Sequence, residues 1–81
     1  MIKSRYQIDG QPYYSFEDIG AYLYPDLHDP IATNKVRNIY KVRKDILKAF
    51  TKKAKSWWSH QTIIVLNAEG TSKLLEYSKG R

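Results

Sequence analysis

Nine lysines and arginines crowd into residues 35–55: Lys35, Arg37, Lys41, Arg43, Lys44, Lys48, Lys52, Lys53 and Lys55, against the single acid Asp45, a local net charge of +8. Residues 1–34 hold two cations and five acids, a net −3, and residues 56–81 come to +1. The excess that gives the chain its net +6 therefore sits in one central segment. Such a field suits a polyanion, because each cation placed on a phosphate releases a condensed counterion, which drives affinity without regard to sequence. The plainer reading of a charge run is a solvated helix face that keeps the protein soluble; the density of charge here favours the polyanion.

The residue types in this segment also suit base readout. Arg37 and Arg43 match the two acceptors of guanine, and Asn34 or Asn38 the acceptor–donor pair of adenine, if the helix carrying them enters a major groove. The lysines are expected on phosphates instead. Lys52, Lys53, Lys55, Trp57, Trp58 and His60 then form a basic stretch with interleaved aromatics, suited to lie along a nucleic-acid backbone with one indole stacked on a base or sugar. In a strand the two tryptophans face opposite ways, so one is expected in the core and the other exposed. His60 either donates to a phosphate or occupies the surface of that strand.

Other chemistries find little support. Cysteine is absent, which excludes disulfides and thiolate metal sites and fits a reducing cytoplasm. The chain shows no Gly-rich phosphate loop, no nucleophile elbow and no zinc-protease helix motif. Glu17 and Asp18 are neighbours, a quarter-turn apart on a helix, and read as charges favoured at a helix N-terminus rather than a catalytic pair. His28 stands between Asp26 and Asp29 without further ligands at matched spacing. The expectation is a protein that is not an enzyme and uses no cofactor and no metal. The first six residues carry charge without a following apolar run, unlike a signal peptide, and the longest apolar run, residues 63–66, is too short to span a bilayer. A cytoplasmic protein of a bacterial or infected cell, with no membrane partner, is the matching expectation.

The elements that must position these residues read as one domain of 81 residues. Residues 2–8 alternate as a strand, Asp9-Gly10 supplies a type I′ turn, and Tyr13-Tyr14 begins a second strand, with Pro12 at an edge or outward site. Ser15 caps a short acidic helix bearing Phe16, Ile19 and Leu23, which Pro25 ends near Leu23 or Tyr24. Asp29-Pro30 signals the next start, a capping carboxylate and a first-turn proline. From there Val36, Ile39, Tyr40, Val42, Ile46, Leu47 and Phe50 recur at a wandering helical spacing, giving either one long helix or two joined by a bend near residues 41–44. Residues 51–56 read as a polar loop, residues 57–66 as a strand buried at its far end, and Asn67 as the cap of a last helix whose Gly70 marks close packing. The order β-β-α-α(α)-β-α predicts an α+β domain with helices on one side of a small antiparallel sheet.

Several segments resemble the Bro-N domain, the amino-terminal domain of phage antirepressors and baculovirus Bro proteins. They are Ile8-Asp9-Gly10-Gln11-Pro12-Tyr13-Tyr14, Phe16-Glu17-Asp18-Ile19, Asp29-Pro30, and Ile64-Val65-Leu66-Asn67-Ala68-Glu69-Gly70 with Leu74-Leu75 and Ser78. The resemblance implies a DNA-binding domain of a virus, prophage or mobile element. A short winged-helix regulator of the excisionase kind fits the same elements, with a helix for the major groove and a β-wing around residues 57–60. The reading is a small winged-helix-like regulator that contacts double-stranded DNA. Lys35, Arg37, Asn38, Lys41, Arg43, Lys44 and Lys48 would act from the helix, and Lys52, Lys53, Lys55, Trp57, Trp58 and His60 from the loop or wing. Two alternatives stay open. One is an inhibitor that binds a repressor or host regulator through Glu17, Asp18 and the cluster Tyr13, Tyr14, Tyr22 and Tyr24; the other is a binder of RNA or single strands. A homodimer is compatible with any of them.

Overall fold

The computed structural model describes residues 2–56 and 59–79. It is an α+β fold: a four-stranded antiparallel sheet in the order β1-β2-β4-β3, with helices packed against one face. The first hairpin is β1 (Tyr6–Ile8) and β2 (Gln11–Ser15), in the register Tyr6↔Tyr13 to Ile8↔Gln11. Asp9 and Gly10 both take positive φ, +54° and +78°, as a two-residue type I′ turn requires. Strand β1 begins at Tyr6 rather than Ile2. Ahead of it the Ser4 hydroxyl sits 2.9 Å from the Tyr13 carbonyl and 3.0 Å from that of Tyr6, where a ladder bond would otherwise run. Pro12 faces Gln7 just beyond the part of β2 that pairs with β4, so its missing N–H interrupts nothing in that ladder.

Helix α1 (Phe16–Leu23) starts where β2 ends, with the Asp18 amide donating to Ser15 Oγ at 3.1 Å. Tyr24 closes it ahead of Pro25. Helix α2 (Asp29–Val42) has His28 as its cap residue and Asp29 as its first helical residue. The expected capping bond from Asp29 is therefore absent. Its carboxylate instead stands in the first turn, where the helix dipole favours negative charge. The backbone breaks at Arg43 and resumes as the single turn α3 (Lys44–Leu47) and a 3₁₀ turn (Lys48–Phe50). Of the two arrangements the wandering apolar stripe allowed, the bend is the one found.

Residues 51–55, expected as a loop, form strand β3 (Thr51–Lys55), and β4 spans Thr62–Asn67. They pair antiparallel from Thr51↔Leu66 to Lys55↔Thr62, so the single late strand of the sequence reading is a hairpin. A strand written Thr-Lys-Lys-Ala-Lys has little intrinsic β preference; pairing with the apolar, β-branched β4 supplies the missing drive. As an edge strand it also benefits from its lysines, which discourage pairing with another chain. Helix α4 (Ala68–Lys79) follows directly, with the Gly70 amide donating to Asn67 Oδ1 at 2.8 Å.

The main core lies between the sheet and the helices. Ile19, Val36, Leu47, Leu66 and Leu74 are fully buried there, and the Phe16 and Tyr40 rings meet at 5.2 Å, tilted by 45°. Tyr6, Tyr13 and Val65, with Ile8, Ala54 and Ile63, form a smaller cluster on the opposite sheet face. Two glycines set helix positions. A Cβ on Gly20 would come within 3.0 Å of the Ala32 backbone, which fixes how closely α1 lies on α2. One on Gly70 would come 2.5 Å from Phe50 Cβ, an atom that no side-chain rotation moves.

Asp18 is buried, with Arg5 Nε 3.2 Å from one carboxylate oxygen and no hydrogen-bond partner for the other. Burial raises its pKa, outweighing the lowering effect of Ser15 and Arg5. An acid with a raised folded-state pKa favours folding most below its ordinary value, and that contribution is lost as pH rises through the raised value. Asp18→Asn is expected to flatten this part of the stability–pH curve, read by urea unfolding from pH 3 to 7 (on the order of the carboxylate range). Gly70→Ala is expected to cost at least the roughly 1–3 kcal/mol typical of overpacking, measurable as a lowered urea midpoint.

Candidate nucleic-acid interface

The charged helix face follows from the burial of α2. Ala32, Val36, Ile39 and Tyr40 point to the core, so Asn34, Asn38 and Lys41 run along the opposite, exposed crest. Arg37 lies on one flank beside Thr33, and its Nη1 donates to Asn34 Oδ1 at 2.7 Å. Lys35 lies on the other flank, its ammonium 5.7 Å from the centre of the Tyr24 ring. Lys35 and Arg37 thus stand on opposite flanks of the helix, with Lys41 on the crest between them. Arg43, at the break after α2, is 4.9 Å from the centre of the Tyr77 ring, a cation–π contact that ties it to α4. Lys44 and Lys48 follow on the short turns, both exposed.

Strand β3 divides its lysines by the alternation of side chains. Lys53 and Lys55 pair with Ile64 and Thr62, on the face that carries Leu66 and the helices; Lys52 pairs with Val65 on the other face. Lys52 lies 3.4 Å from Asp9 and 5.8 Å from the Tyr13 ring centre, and the Asp9 carboxylate holds its ammonium above the ordinary lysine pKa. It belongs to the first hairpin's surroundings more than to the other lysines. Among the described residues, Lys52 is the one member of the nine central cations in an ion pair.

Between α2 and the second hairpin runs an open cleft of about 440 Å³. Thr33 and Arg37 form its helix wall, Thr62, Ile63 and Ile64 its strand wall, and Ser56 and Gln61 its rim at the hairpin turn. Tyr6, Ser15, Phe16 and Glu17 close the end where α1 begins. Arg37 thus faces the cleft from one side, while Lys53 and Lys55 stand one strand beyond its opposite wall. Sequence reasoning missed this cleft. Its residues are scattered from position 6 to 64, and only Arg37 among them belongs to the central basic segment.

His60 lies in the turn of the hairpin, exposed, at φ +60°, and not on a strand surface. The turn is closed by Ser56 N donating to Gln61 O at 2.7 Å and His60 N to Ser56 O at 3.3 Å. Trp57 and Trp58, and with them the expectation that one indole is exposed for stacking, lie outside the described residues. The proposed tyrosine cluster is not a common surface: Tyr13 is buried beneath Lys52, Tyr14 and Tyr24 are half-buried, and Tyr22 is exposed. No group of three potential metal ligands occurs among the described residues, and no helix there is long and apolar enough to cross a membrane.

No protein-family model, no curated protein and no solved structure matches this chain.

The backbone at His60 separates a turn from a strand experimentally. A β-branched residue would suit a strand but is badly strained at positive φ, whereas asparagine tolerates it. His60→Val is expected to be less stable than His60→Asn by about 1–2 kcal/mol in urea unfolding; the reverse order would place residue 60 in extended backbone.

Proposed function

We propose that this protein binds double-stranded DNA through the α2 crest and the β3 edge, as a small winged-helix-like regulator. The observation that carries the reading is the placement of cations on both sides of one cleft that, among the described residues, stand in no ion pair: Arg37, hydrogen-bonded to Asn34, on the helix side, and Lys53 and Lys55 on the strand side. Asn38 and Lys41 lie along the α2 crest, and Lys44 and Lys48 continue the charge toward β3. A helix followed by a basic hairpin is the pairing of parts that enters a groove and grips the adjoining backbone. The segments resembling the Bro-N domain point the same way, toward a regulator of a phage, virus or mobile element acting in the cytoplasm of its host. The charges themselves argue for an external anion, since exposed cations outside ion pairs add little to folding and repel one another.

A protein partner is the second reading, and one observation favours it. Val42 is 70% exposed, and Ile31 and Ile46 are exposed at 49% and 41%, which is apolar surface that phosphate contacts do not use.

Fluorescence anisotropy of a labelled duplex, titrated across a salt series, tests the first reading. Affinity should fall with salt with a slope corresponding to about four to eight phosphate contacts. The double variant Lys53→Ala/Lys55→Ala should weaken binding to all sequences alike and reduce that slope by about two. Weak binding without a salt slope, even at low ionic strength, would reject the DNA surface and favour the protein partner.

A further inference from the structure

Resting on that reading, we infer that the cleft between α2 and the second hairpin receives one unpaired guanine of the bound DNA. Its volume of about 440 Å³ lies within the range of small-ligand clefts and accommodates a nucleobase with its sugar. Its lining is part apolar, from Phe16, Ile63 and Ile64, and part polar, the combination that holds a flat heteroaromatic ring and orients its edges. It also opens between the two groups of cations assigned to the phosphates, so a base turned out of the helix need not leave the backbone path to reach it.

Two charged residues select the base. Arg37 on the helix wall offers a fork of N–H donors, and guanine O6 and N7 are the acceptor pair that such a fork matches. Glu17 at the closed end is half-buried and offers only acceptors. Guanine alone presents two adjacent donors, N1–H and the 2-amino group, to the two oxygens of a carboxylate. These belong to its Watson–Crick edge and are free only when the base is unpaired, so Glu17 distinguishes an extruded guanine from a paired one. Arg5 Nη1 lies 3.7 Å from Glu17 Oε1, an ion pair longer than a hydrogen bond. Adenine lacks the ring N–H, and thymine lacks the amino group.

Extruding a base from a perfect duplex costs a few kcal/mol, and a bulge has already met much of that cost. The test therefore compares a fully paired duplex with duplexes carrying a single bulged G, A, C or T, by anisotropy at one salt concentration. The bulged-G duplex is expected to bind about tenfold tighter than the paired one, with bulged A, C and T each weaker than bulged G. Glu17→Gln should erase the ranking among bases. Thr62→Tyr, which fills the cleft from an exposed strand position, should remove the bulge preference while leaving paired-duplex affinity and its salt slope in place; Thr33→Phe fills it from the helix side should the strand variant unfold. Equal affinity for bulged-G and paired duplexes would overturn the inference and leave the DNA-binding reading standing. So would a bulge preference indifferent to base identity and to both filling variants, which would report the flexibility of bulged DNA. Failure to bind any of the five duplexes would overturn both.

Discussion

The pairing of β2 with β4 is the constraint from which the rest of the molecule hangs. Three residue pairs, from Tyr13↔Asn67 to Ser15↔Val65, join a hairpin at one end of the chain to a hairpin near the other. Each strand also ends on the residue that caps the next helix: Ser15 for α1, Asn67 for α4. Because the strands are antiparallel, the two caps lie at opposite ends of one short ladder. A slip of one residue would turn Leu66 out of the helix-side core and Val65 into it, exchanging the two buried clusters and displacing both helix starts together. The cleft inherits its shape from this register, since α1 supplies its closed end and β4 its wall.

Among the described residues, the ion pairs involve three acids, Asp9, Glu17 and Asp18, and only one of the nine central cations. Arg5, outside the basic segment, meets both Glu17 and Asp18, and among the described residues Lys52 alone of the central nine meets an acid, Asp9. Lys35 and Arg43 are steadied against Tyr24 and Tyr77, contacts that order a cation while leaving its charge uncompensated. Ion pairs at such exposed sites would contribute at most about 1 kcal/mol each. Their absence is a small loss to folding, and the gain is a field undiluted by counter-charges of the protein itself.

Much of this arrangement is legible in the sequence wherever a residue type has one backbone use. Asp9-Gly10 permits the paired positive φ of a type I′ turn, Ser15 and Asn67 stand where capping oxygens are needed, and Pro25 ends α1. The irregular apolar spacing after Val36 allowed either one long helix or a bend near residues 41–44, and the break falls at Arg43. The second hairpin was not legible, for two reasons. β3 has only Ala54 as an apolar residue, so it becomes a strand through its partner. And the turn that joins it to β4 places positive φ on His60, in a connection with no glycine, asparagine or aspartate to announce it. The site suffered accordingly: the positions of the cations were plain, but the faces they take depend on the missed strand and on which side of α2 is buried.

The lysines of β3 raise a question of purpose, because an edge strand needs charge for its own protection. An exposed edge invites pairing with another chain, and lysine on either face discourages it. Protection of that kind is indifferent to which side of the sheet a lysine occupies, and Lys52 alone would contribute to it. The arrangement found is not indifferent. The lysine on the outer face is drawn to Asp9 and lies over Tyr13, while both lysines on the helix face remain unpaired beside the wall of the cleft that Arg37 enters from the other side. Edge protection accounts for the presence of lysine in β3. It does not account for the two lysines on the face toward α2, Lys53 and Lys55, which among the described residues stand in no ion pair and which the DNA-binding proposal assigns to an external anion.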